Sequence, residues 1–503
     1  RILGAVRDIV IASFFGTGMV ADAFIAAFRM PEFLRRLFGE GSLSIAFVPV
    51  YTDHLNRHGR EAADRLAASA LRSLALVLAL ATLAGMAAVP LLVQVLAPGF
   101  SQSADKFALT VALARTMWPY LWFIGMVALC MGILNVLGHF AAPALSPVCL
   151  NLAMIAALVV GGYMVATEAD LAVWLAAGVL VGGALQLGLQ VPFLVRHKVY
   201  FWRRAPLWHE GLGRVARLMG PVLFGAAVFQ INSLVITLLA SLLPQGSVAY
   251  LYYADRLVQF PLGVFGFAVA TAVLPTLSHQ AAAGRIEAMG QTCGHAIRLV
   301  FFITLPATVG LIVLREPIVS LLFQRGAFDA QSMRLTAGAL LYYAMGLWAF
   351  SAVRIVLNAF YALQDTRTPV RMAIVSIVAN GLLGWTLMGP MGHQGLALAL
   401  TIASAVNFFL LAAALRRRLG ALGGHVIAVS IAKSGFCAAA MGACVQLLAW
   451  QVLPAGGRGI ELLPGLAVCI VAGALVFALL ARATGLEELR SAVQMVRGRV
   501  GNQ

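Results

Sequence analysis

The sequence predicts an all-α polytopic membrane protein of about fourteen transmembrane helices. Hydrophobic residues make up 61% of its 503 residues and charged residues only 11%, against roughly 25% charged in soluble proteins. Apolar runs of the ~20 residues that a membrane-spanning helix needs recur along the whole chain. Most Lys and Arg between these runs fall in every second gap, which is typical of loops on the cytoplasmic side of a membrane.

The predicted spans follow one another closely and leave no room for a soluble domain. An even number of spans places both ends of the chain in the cytoplasm. The boundaries lie near residues 1–16, 22–51, 67–97, 104–137, 143–165, 170–195, 214–243, 247–279, 287–314, 330–361, 368–389, 394–415, 425–451 and 462–482.

An ordered series of matching landmarks indicates an internal duplication. Two six-helix copies that both begin on the cytoplasmic side are parallel repeats, and transporters of this kind bind substrate between the copies. We therefore predict an N-lobe over residues 1–200, a C-lobe over residues 201–420, and two further helices with a cytoplasmic tail over residues 421–503. The matching landmarks are Ala21-Asp22 with Ala254-Asp255, Leu134-Asn135 with Leu357-Asn358, and Asn151 with Asn380.

Charged residues inside the predicted spans are the candidate functional residues. A charge at the centre of a bilayer costs about 2.5–3.5 kcal/mol on insertion scales, so such residues usually face a cavity. The alternative is that they form structural ion pairs, or reach the membrane surface from a tilted or broken helix. The set comprises Arg7, Asp8, Asp22, Arg29, Glu32, Arg35, Arg36, Glu40, Asp255, Arg256 and Arg354.

The predominance of arginine in this set indicates the chemistry of the substrate. Guanidinium is always charged, is planar and binds phosphate through two hydrogen bonds, so an arginine-lined cavity suits a phosphate or pyrophosphate head group. A cationic drug would be repelled. A long acyl or prenyl tail on the substrate could stay in the bilayer through an opening between helices.

Several other functions are disfavoured by the same sequence. A net charge of +16 could indicate nucleic acid, but that reading requires a basic face on a soluble domain, so we predict no nucleic-acid partner. The phosphate-loop, zinc-protease and serine-hydrolase motifs do not occur. The six cysteines show no metal-like spacing. We expect no catalytic residue, no cofactor and no metal site.

Several blocks of sequence resemble the MurJ (MviN) lipid II flippases, and together they cover nearly the whole chain. The most specific are residues 1–8 (RILGAVRD) and residues 33–41 (FLRRLFGEG). Further blocks are residues 21–24, 46–49, 246–248, 252–257, 322–328 and 361–369.

The resemblance implies the fourteen-helix MOP exporter architecture, with the last two helices forming a groove for a lipid tail. It implies that lipid II, the undecaprenyl-pyrophosphate-linked disaccharide-pentapeptide, crosses from the cytoplasmic to the periplasmic leaflet of the bacterial inner membrane. Membrane lipids and the peptidoglycan synthesis machinery are the other expected partners. The cavity arginines of the family would correspond to Arg1, Arg7, Arg35 and Arg256, with Asp22 as an acidic partner.

Energy coupling is where the sequence departs from the family pattern. Some members look to bind Na⁺ through carboxylates on their seventh and eleventh helices, but the predicted spans 214–243 and 368–389 contain no Asp or Glu. Asn380 is the matching polar residue, with Asn232 and Thr401 as further oxygen ligands. The alternative is that Asn380 only forms a hydrogen bond between helices. We therefore predict transport driven by the membrane potential.

Two other classes of function stay open at this point. The first is another MOP exporter, either a polysaccharide-lipid flippase or a multidrug antiporter. An antiporter for cations would favour lone acids in its cavity over arginines. The second is a membrane-embedded glycosyltransferase acting on the same lipid carrier, for which we would expect acidic residues or a large loop at one membrane face.

Overall fold

The computed structural model describes residues 2–39, 42–200, 205–420, 422–454 and 456–491. These residues form α-helices joined by short turns, with three short 3-10 or π segments and no β-strand among them. The chain divides into two compact units, the first ending at Ala249 and the second beginning at Tyr250. The predicted all-α fold is confirmed. The division into segments 1–200, 201–420 and 421–503 stays a prediction.

The first unit is built around a long bent helix, α3, which packs against α5 and α8, while α6 packs along α7 and α2 packs along α4. Phe47, Tyr51 and Leu66 of α3 are buried in its core together with Ile133 of α5. The helices are α1 (Ile2–Phe15), α2 (Met19–Gly39), α3 (Ser42–Leu96), α4 (Ala104–Met117), α5 (Tyr120–Val136), α6 (Ala141–Met164), α7 (Glu168–Arg196) and α8 (Glu210–Ser241).

The second unit is organised around α11, which contacts α14 on one side and α17 on another. Helix α9 begins in the last residues of the first unit. The helices are α9 (Ser247–Pro261), α10 (Phe267–Ala282), α11 (Ile286–Val313), α12 (Arg315–Phe323), α13 (Ala330–Met345), α14 (Leu347–Ala362), α15 (Arg367–Met391), α16 (His393–Leu419), α17 (Gly424–Val452) and α18 (Leu463–Ala483).

Ten helical segments of the described chain are long and apolar enough to cross a membrane. The pair α9 and α10 adds an eleventh if it counts as one span, with a bend of 41° at a short π-helical segment, Leu262–Gly266. Pro261 precedes this segment and lacks the N–H that would continue the α-helical pattern. Each predicted span overlaps a described helix or an interrupted pair of helices. The chain is a multi-pass membrane protein, and the count of fourteen crossings stays a prediction.

The gap between the predicted spans 22–51 and 67–97 is not a loop, because residues 52–66 are helical. Helix α3 continues through it and is interrupted only at Gly59, whose φ of 78° and ψ of 178° are not helical. Ion pairs one turn apart, Asp53 with Arg57 and Arg60 with Asp64, stabilise the helix on either side. Hydropathy marks the apolar length that a membrane requires, whereas a polar helix can extend beyond that length.

A buried ion pair joins the end of the described chain to α11. Arg298 of α11 lies 3.2 Å from the carboxylate of Glu488, whose side chain is only 2% exposed. The hydroxyl of Ser430 on α17 donates a second hydrogen bond to the same carboxylate at 2.9 Å. The neighbouring Glu487 also approaches Arg298, at 3.8 Å, but its side chain is 82% exposed. Glu488 therefore connects α11, α17 and the segment after α18.

We expect Glu488→Gln to lower the thermal unfolding temperature of the purified protein clearly. Breaking a buried pair leaves its partner uncompensated, which costs about 3–5 kcal/mol. The matched control is Glu487→Gln, which removes the same charge from the exposed neighbour and should change stability by less than about 1 kcal/mol. Equal unfolding temperatures for the two variants would show that the buried pair does not stabilise this end of the chain.

Candidate substrate-binding site

On α1, the candidate residues Arg7 and Asp8 form a buried ion pair with each other. The guanidinium donates to the Asp8 carboxylate from Nη2 at 2.6 Å and from Nε at 3.0 Å. Arg7 is 8% exposed and Asp8 is 3% exposed. The Arg7 guanidinium also lies 5.9 Å from the centre of the Phe28 ring. This pairing reduces the cost of placing both charges within the helical unit.

Asp22, in the first turn of α2, is enclosed by donors. Its carboxylate accepts from Lys106 Nζ at 2.8 Å, from the backbone N–H of Gly246 at 2.8 Å and from that of Ala249 at 3.0 Å. Asp22 is 1% exposed and Lys106 is 8% exposed. Lys106 also lies 4.0 Å from the centre of the Phe100 ring.

The role of Lys106 was not predicted, because a charged residue at the edge of an apolar run is typical of a loop. Lys106 instead lies in the first turn of α4 and is buried against Asp22. The resemblance to a known family suggested Asp22 as an acidic partner of cavity arginines, and that role stays a prediction. The contacts show that Asp22 joins α2 to α4 and to the start of α9.

The arginines of α2 divide into two kinds. Arg29 reaches α8, where its Nη1 donates to the carbonyl of Ser233 at 2.8 Å and to the hydroxyl of Thr237. Arg35 and Arg36 share one carboxylate, that of Glu32, at 3.7 Å and 3.0 Å. Their side chains are 29% and 30% exposed.

In the second unit, Arg256 is held by residues of its own helix, α9. Its Nη2 donates to the hydroxyl of Tyr252 at 3.0 Å, and its Nη1 donates to Oε1 of Gln259 at 3.2 Å. The amide of Gln259 in turn donates to the carboxylate of Asp255. Arg256 also lies over the Tyr252 ring, 4.7 Å from its centre. Tyr252 and Gln259 were not predicted, although both lie within one helical turn of Arg256.

Arg354 of α14 stacks on an aromatic ring. Its guanidinium carbon lies 3.7 Å from the centre of the Phe267 ring in α10. A cation over an aromatic face is stabilised by about 0.5–2 kcal/mol. This contact gives Arg354 a structural role besides any contact with substrate.

The candidate ion ligands are distributed over both units. Asn380 of α15 is 1% exposed. The hydroxyl of Thr401 on α16 donates to the carbonyl of Tyr342 at 2.8 Å. Asn232 lies on α8, in the first unit. Over the described ranges no group of three or more His, Cys, Asp or Glu residues could hold a metal ion.

Two of the predicted site residues, Arg1 and Glu40, lie outside the described residues. The arrangement of the remaining residues favours an anionic ligand. Arg7, Arg29 and Arg256 are fixed in place by groups that orient their guanidinium groups, while Arg35 and Arg36 are partly exposed beside Glu32. Guanidinium groups held in fixed orientations bind a phosphate through charge-assisted hydrogen bonds, whereas they repel a cation.

The comparisons with known proteins bear directly on this arrangement. Residues 11–464 match the model of the family described as "Lipid II flippase MurJ". The chain belongs to this family. A relative in Vibrio cholerae, named "Probable lipid II flippase MurJ", is 38% identical over 82% of this chain and 79% of its own length. The "Lipid II flippase MurJ" of Burkholderia cenocepacia is 36% identical over 83% of this chain and 81% of its own length.

Solved structures show the same fold. A structure titled "Lipid II flippase MurJ, inward closed conformation" superposes with a TM-score of 0.80, at 25% identity over 96% of this chain and 97% of that one. A multidrug resistance MATE family transporter of the MOP superfamily superposes with a TM-score of 0.71, at 16% identity over 84% of this chain and 95% of that one. The MATE likeness shows the fold alone. The predicted membership of the MurJ family is confirmed, and the fourteen-helix MOP exporter architecture stays a prediction.

We expect Asp22→Asn and Lys106→Met each to lower the thermal unfolding temperature and the ability to support growth. Either change leaves a buried charge without its partner, at a cost of about 3–5 kcal/mol. The double variant should lose less than the sum of the two single variants. Asp105→Asn, an exposed acid in the same turn of α4, is the control. Additive losses would refute the pairing.

Proposed function

We propose that this chain translocates lipid II from the cytoplasmic to the periplasmic leaflet of the bacterial inner membrane by alternating access. The supporting observation is that a chain of the MurJ family carries fixed arginines within its helical units. The pyrophosphate of lipid II is the part of the substrate that such guanidinium groups would recognise. On this proposal the protein is a transporter without a catalytic residue.

Three groups of arginine contacts give the proposed binding residues their roles. Arg7 is held by Asp8, and Arg256 is held by Tyr252 and Gln259, so both guanidinium groups are oriented before substrate arrives. Arg35 and Arg36 both lie beside Glu32 and are partly exposed, so a phosphate could approach their guanidinium groups. Preorganised groups lose little conformational entropy on binding, and this increases affinity.

The proposal also assigns a separate role to each of three parts of the chain. Residues 1–200 and 201–420 form the two lobes that alternately expose the substrate, and residues 421–503 contribute the helices that accommodate the undecaprenyl tail. The peptidoglycan synthesis machinery would use the substrate after it has crossed the membrane.

The rival functions make different predictions about the lipid carrier. A multidrug antiporter would leave the leaflet distribution of lipid II unchanged when the protein is depleted. A glycosyltransferase would also leave that distribution unchanged, but a glycan product would disappear. Depletion of a flippase should instead accumulate lipid II in the cytoplasmic leaflet, and accessibility of the head group from outside intact spheroplasts measures this.

We expect Arg7→Ala, Arg35→Ala and Arg256→Ala each to reduce lipid II flipping strongly. Each change removes charge-assisted hydrogen bonds of about 1.5–3 kcal/mol, which corresponds to roughly a ten- to hundredfold loss of affinity. Lysine at the same positions keeps the charge but loses the two-pronged geometry, so it should rescue only in part. The measurement is flipping in proteoliposomes with protein amounts matched.

The control for these variants is Arg285→Ala, which removes one exposed arginine before α11. It should flip lipid II at the rate of the unchanged protein. If the three alanine variants, folded and inserted normally, also flip at that rate, then these arginines do not bind the substrate.

We expect flipping to follow the membrane potential rather than a Na⁺ gradient. A Na⁺ ion at mid-membrane normally needs a nearby negative charge, and predicted spans 214–243 and 368–389 contain none. Each elementary charge moved across 100 mV contributes about 2.3 kcal/mol. The measurement is flipping in proteoliposomes with the potential and the Na⁺ gradient set independently. Dependence on Na⁺ at fixed potential, abolished by Asn380→Ala, would contradict this expectation.

A further inference from the structure

An ion pair closes the turn between α14 and α15 in the second unit. The carboxylate of Asp365 lies 2.8 Å from the guanidinium of Arg418, in the last turn of α16. It also accepts from Thr368, from the backbone N–H at 3.0 Å and from the hydroxyl at 2.7 Å. Burial raises the pKa of this carboxyl, but the Thr368 hydrogen bonds and Arg418 outweigh burial, and its pKa lies below the ordinary value.

The first unit contains the same turn with a different residue in place of the aspartate. After α5, Gly138 has a φ of 79° and the N–H of His139 bonds the carbonyl of Leu134 at 2.9 Å. After α14, Gln364 has a φ of 57° and the N–H of Asp365 bonds the carbonyl of Phe360 at 2.9 Å. The two turns have the same backbone form, so His139 occupies the position of Asp365 in the turn, and α14 continues three residues further beyond the matched Leu357-Asn358 than α5 does beyond Leu134-Asn135.

The arginine of the ion pair also has a counterpart. Arg196 lies in the last turn of α7, as Arg418 lies in the last turn of α16. Each stands two residues before a residue with positive φ, Lys198 at 60° and Gly420 at 78°. The first copy of the duplication therefore keeps the cation of the ion pair but lacks the carboxylate that neutralises it.

A cavity of about 320 Å³ lies at this position in the first unit. Such a volume is within the range of small-molecule sites, roughly 300–1,000 Å³. Its lining residues come from the turn after α5 and from the end of α7, and they are Leu137, Gly138, His139, Phe193, Arg196 and His197. The His139 ring stacks on Phe193 with centres 4.3 Å apart, which fixes its orientation.

Two residues that line the cavity carry groups without a hydrogen-bond or ion-pair partner among the described residues. Nε2 of His139 is buried and has no hydrogen-bond partner in the described part of the chain. Arg196 forms no ion pair with any described residue, whereas nearby Arg60 is already bonded to Asp64 and to the carbonyl of His197. A buried polar nitrogen without a partner costs about 1–3 kcal/mol, which an anionic acceptor would recover.

We propose that this cavity, formed by His139 and Arg196, binds the phosphate group of an anionic molecule in place of the carboxylate that Asp365 supplies in the second copy. Guanidinium and imidazole N–H groups together match a phosphate oxygen set. The source is either the head group of an anionic phospholipid or a soluble phosphate. The predicted cytoplasmic end of α7 favours the lipid, because that leaflet is rich in anionic head groups.

This site is separate from the proposed transport site. None of its lining residues is among the candidate lipid II ligands. Binding of phosphatidylglycerol or inorganic phosphate can be measured without lipid II. The result of the binding experiment therefore does not depend on whether the protein flips lipid II.

The experiment measures binding of two probes to the purified full-length protein. One probe is tritiated phosphatidylglycerol in mixed micelles with phosphatidylcholine, and the other is radiolabelled inorganic phosphate, each followed by scintillation proximity. We expect Arg196→Gln to weaken binding about tenfold or more, because it removes a charge-assisted hydrogen bond. The control Arg417→Gln removes an exposed arginine at the end of α16 and should leave binding within about twofold.

A second variant makes the test independent of misfolding. His139→Asp gives the first copy the aspartate of the second, so its carboxylate should pair with Arg196. Binding of the probe should then weaken about as much as in Arg196→Gln. The thermal unfolding temperature of His139→Asp should be unchanged or raised, and His139→Asn should weaken binding less.

The two probes distinguish the source of the phosphate. Loss of phosphatidylglycerol binding identifies a phospholipid head group, and loss of inorganic phosphate binding alone identifies a soluble phosphate. If neither variant alters binding of either probe, the proposal is wrong.

Discussion

The structure depends on the compensation of charge within helical units that are built for a membrane. A hydrocarbon environment provides no water to solvate an ion, so each buried charge needs a partner from the protein. Asp22 shows this most completely, with an ammonium group and two backbone N–H groups around one carboxylate. Glu488 does the same with Arg298 and Ser430. These contacts determine which helices are joined to one another.

Charge compensation also separates residues that hold the fold from residues that are suited to bind a substrate. Lys106 and Asp22 are buried and matched one to one. Arg35 and Arg36 are partly exposed, and both approach the carboxylate of Glu32. Guanidinium groups held in fixed orientations within the units are suited to recognise an anionic group.

The turns after α5 and α14 have the same backbone form but carry different side chains. The turns after α5 and α14 share a residue with positive φ followed by a reverse hydrogen bond, so both place the next side chain toward the end of a neighbouring helix. After α14 that side chain is an aspartate that pairs with Arg418. After α5 it is His139, which lines a cavity together with Arg196.

Composition and hydropathy were sufficient to predict the membrane class and the helical fold, because the bilayer imposes one length and one polarity on every span. The conspicuous motifs around residues 1–8 and 33–41 were sufficient for the family. Hydropathy failed at residues 52–66, since ion pairs extend α3 beyond the apolar length that it detects. The described charged residues of the candidate site lie inside helices, as predicted. They could be recognised in the sequence because a charge within an apolar span is costly in a membrane.

The partners of those charges were decided only by tertiary structure. Lys106 looks like a loop residue in the sequence. Its pairing with Asp22 depends on the packing of α4 against α2, which are distant in sequence. The anchoring of Arg29 on Ser233 and Thr237, and of Arg298 on Glu488, likewise joins residues that are distant in sequence. Periodicity reports which face of a helix is apolar, whereas the packing of one helix on another determines which charge meets which.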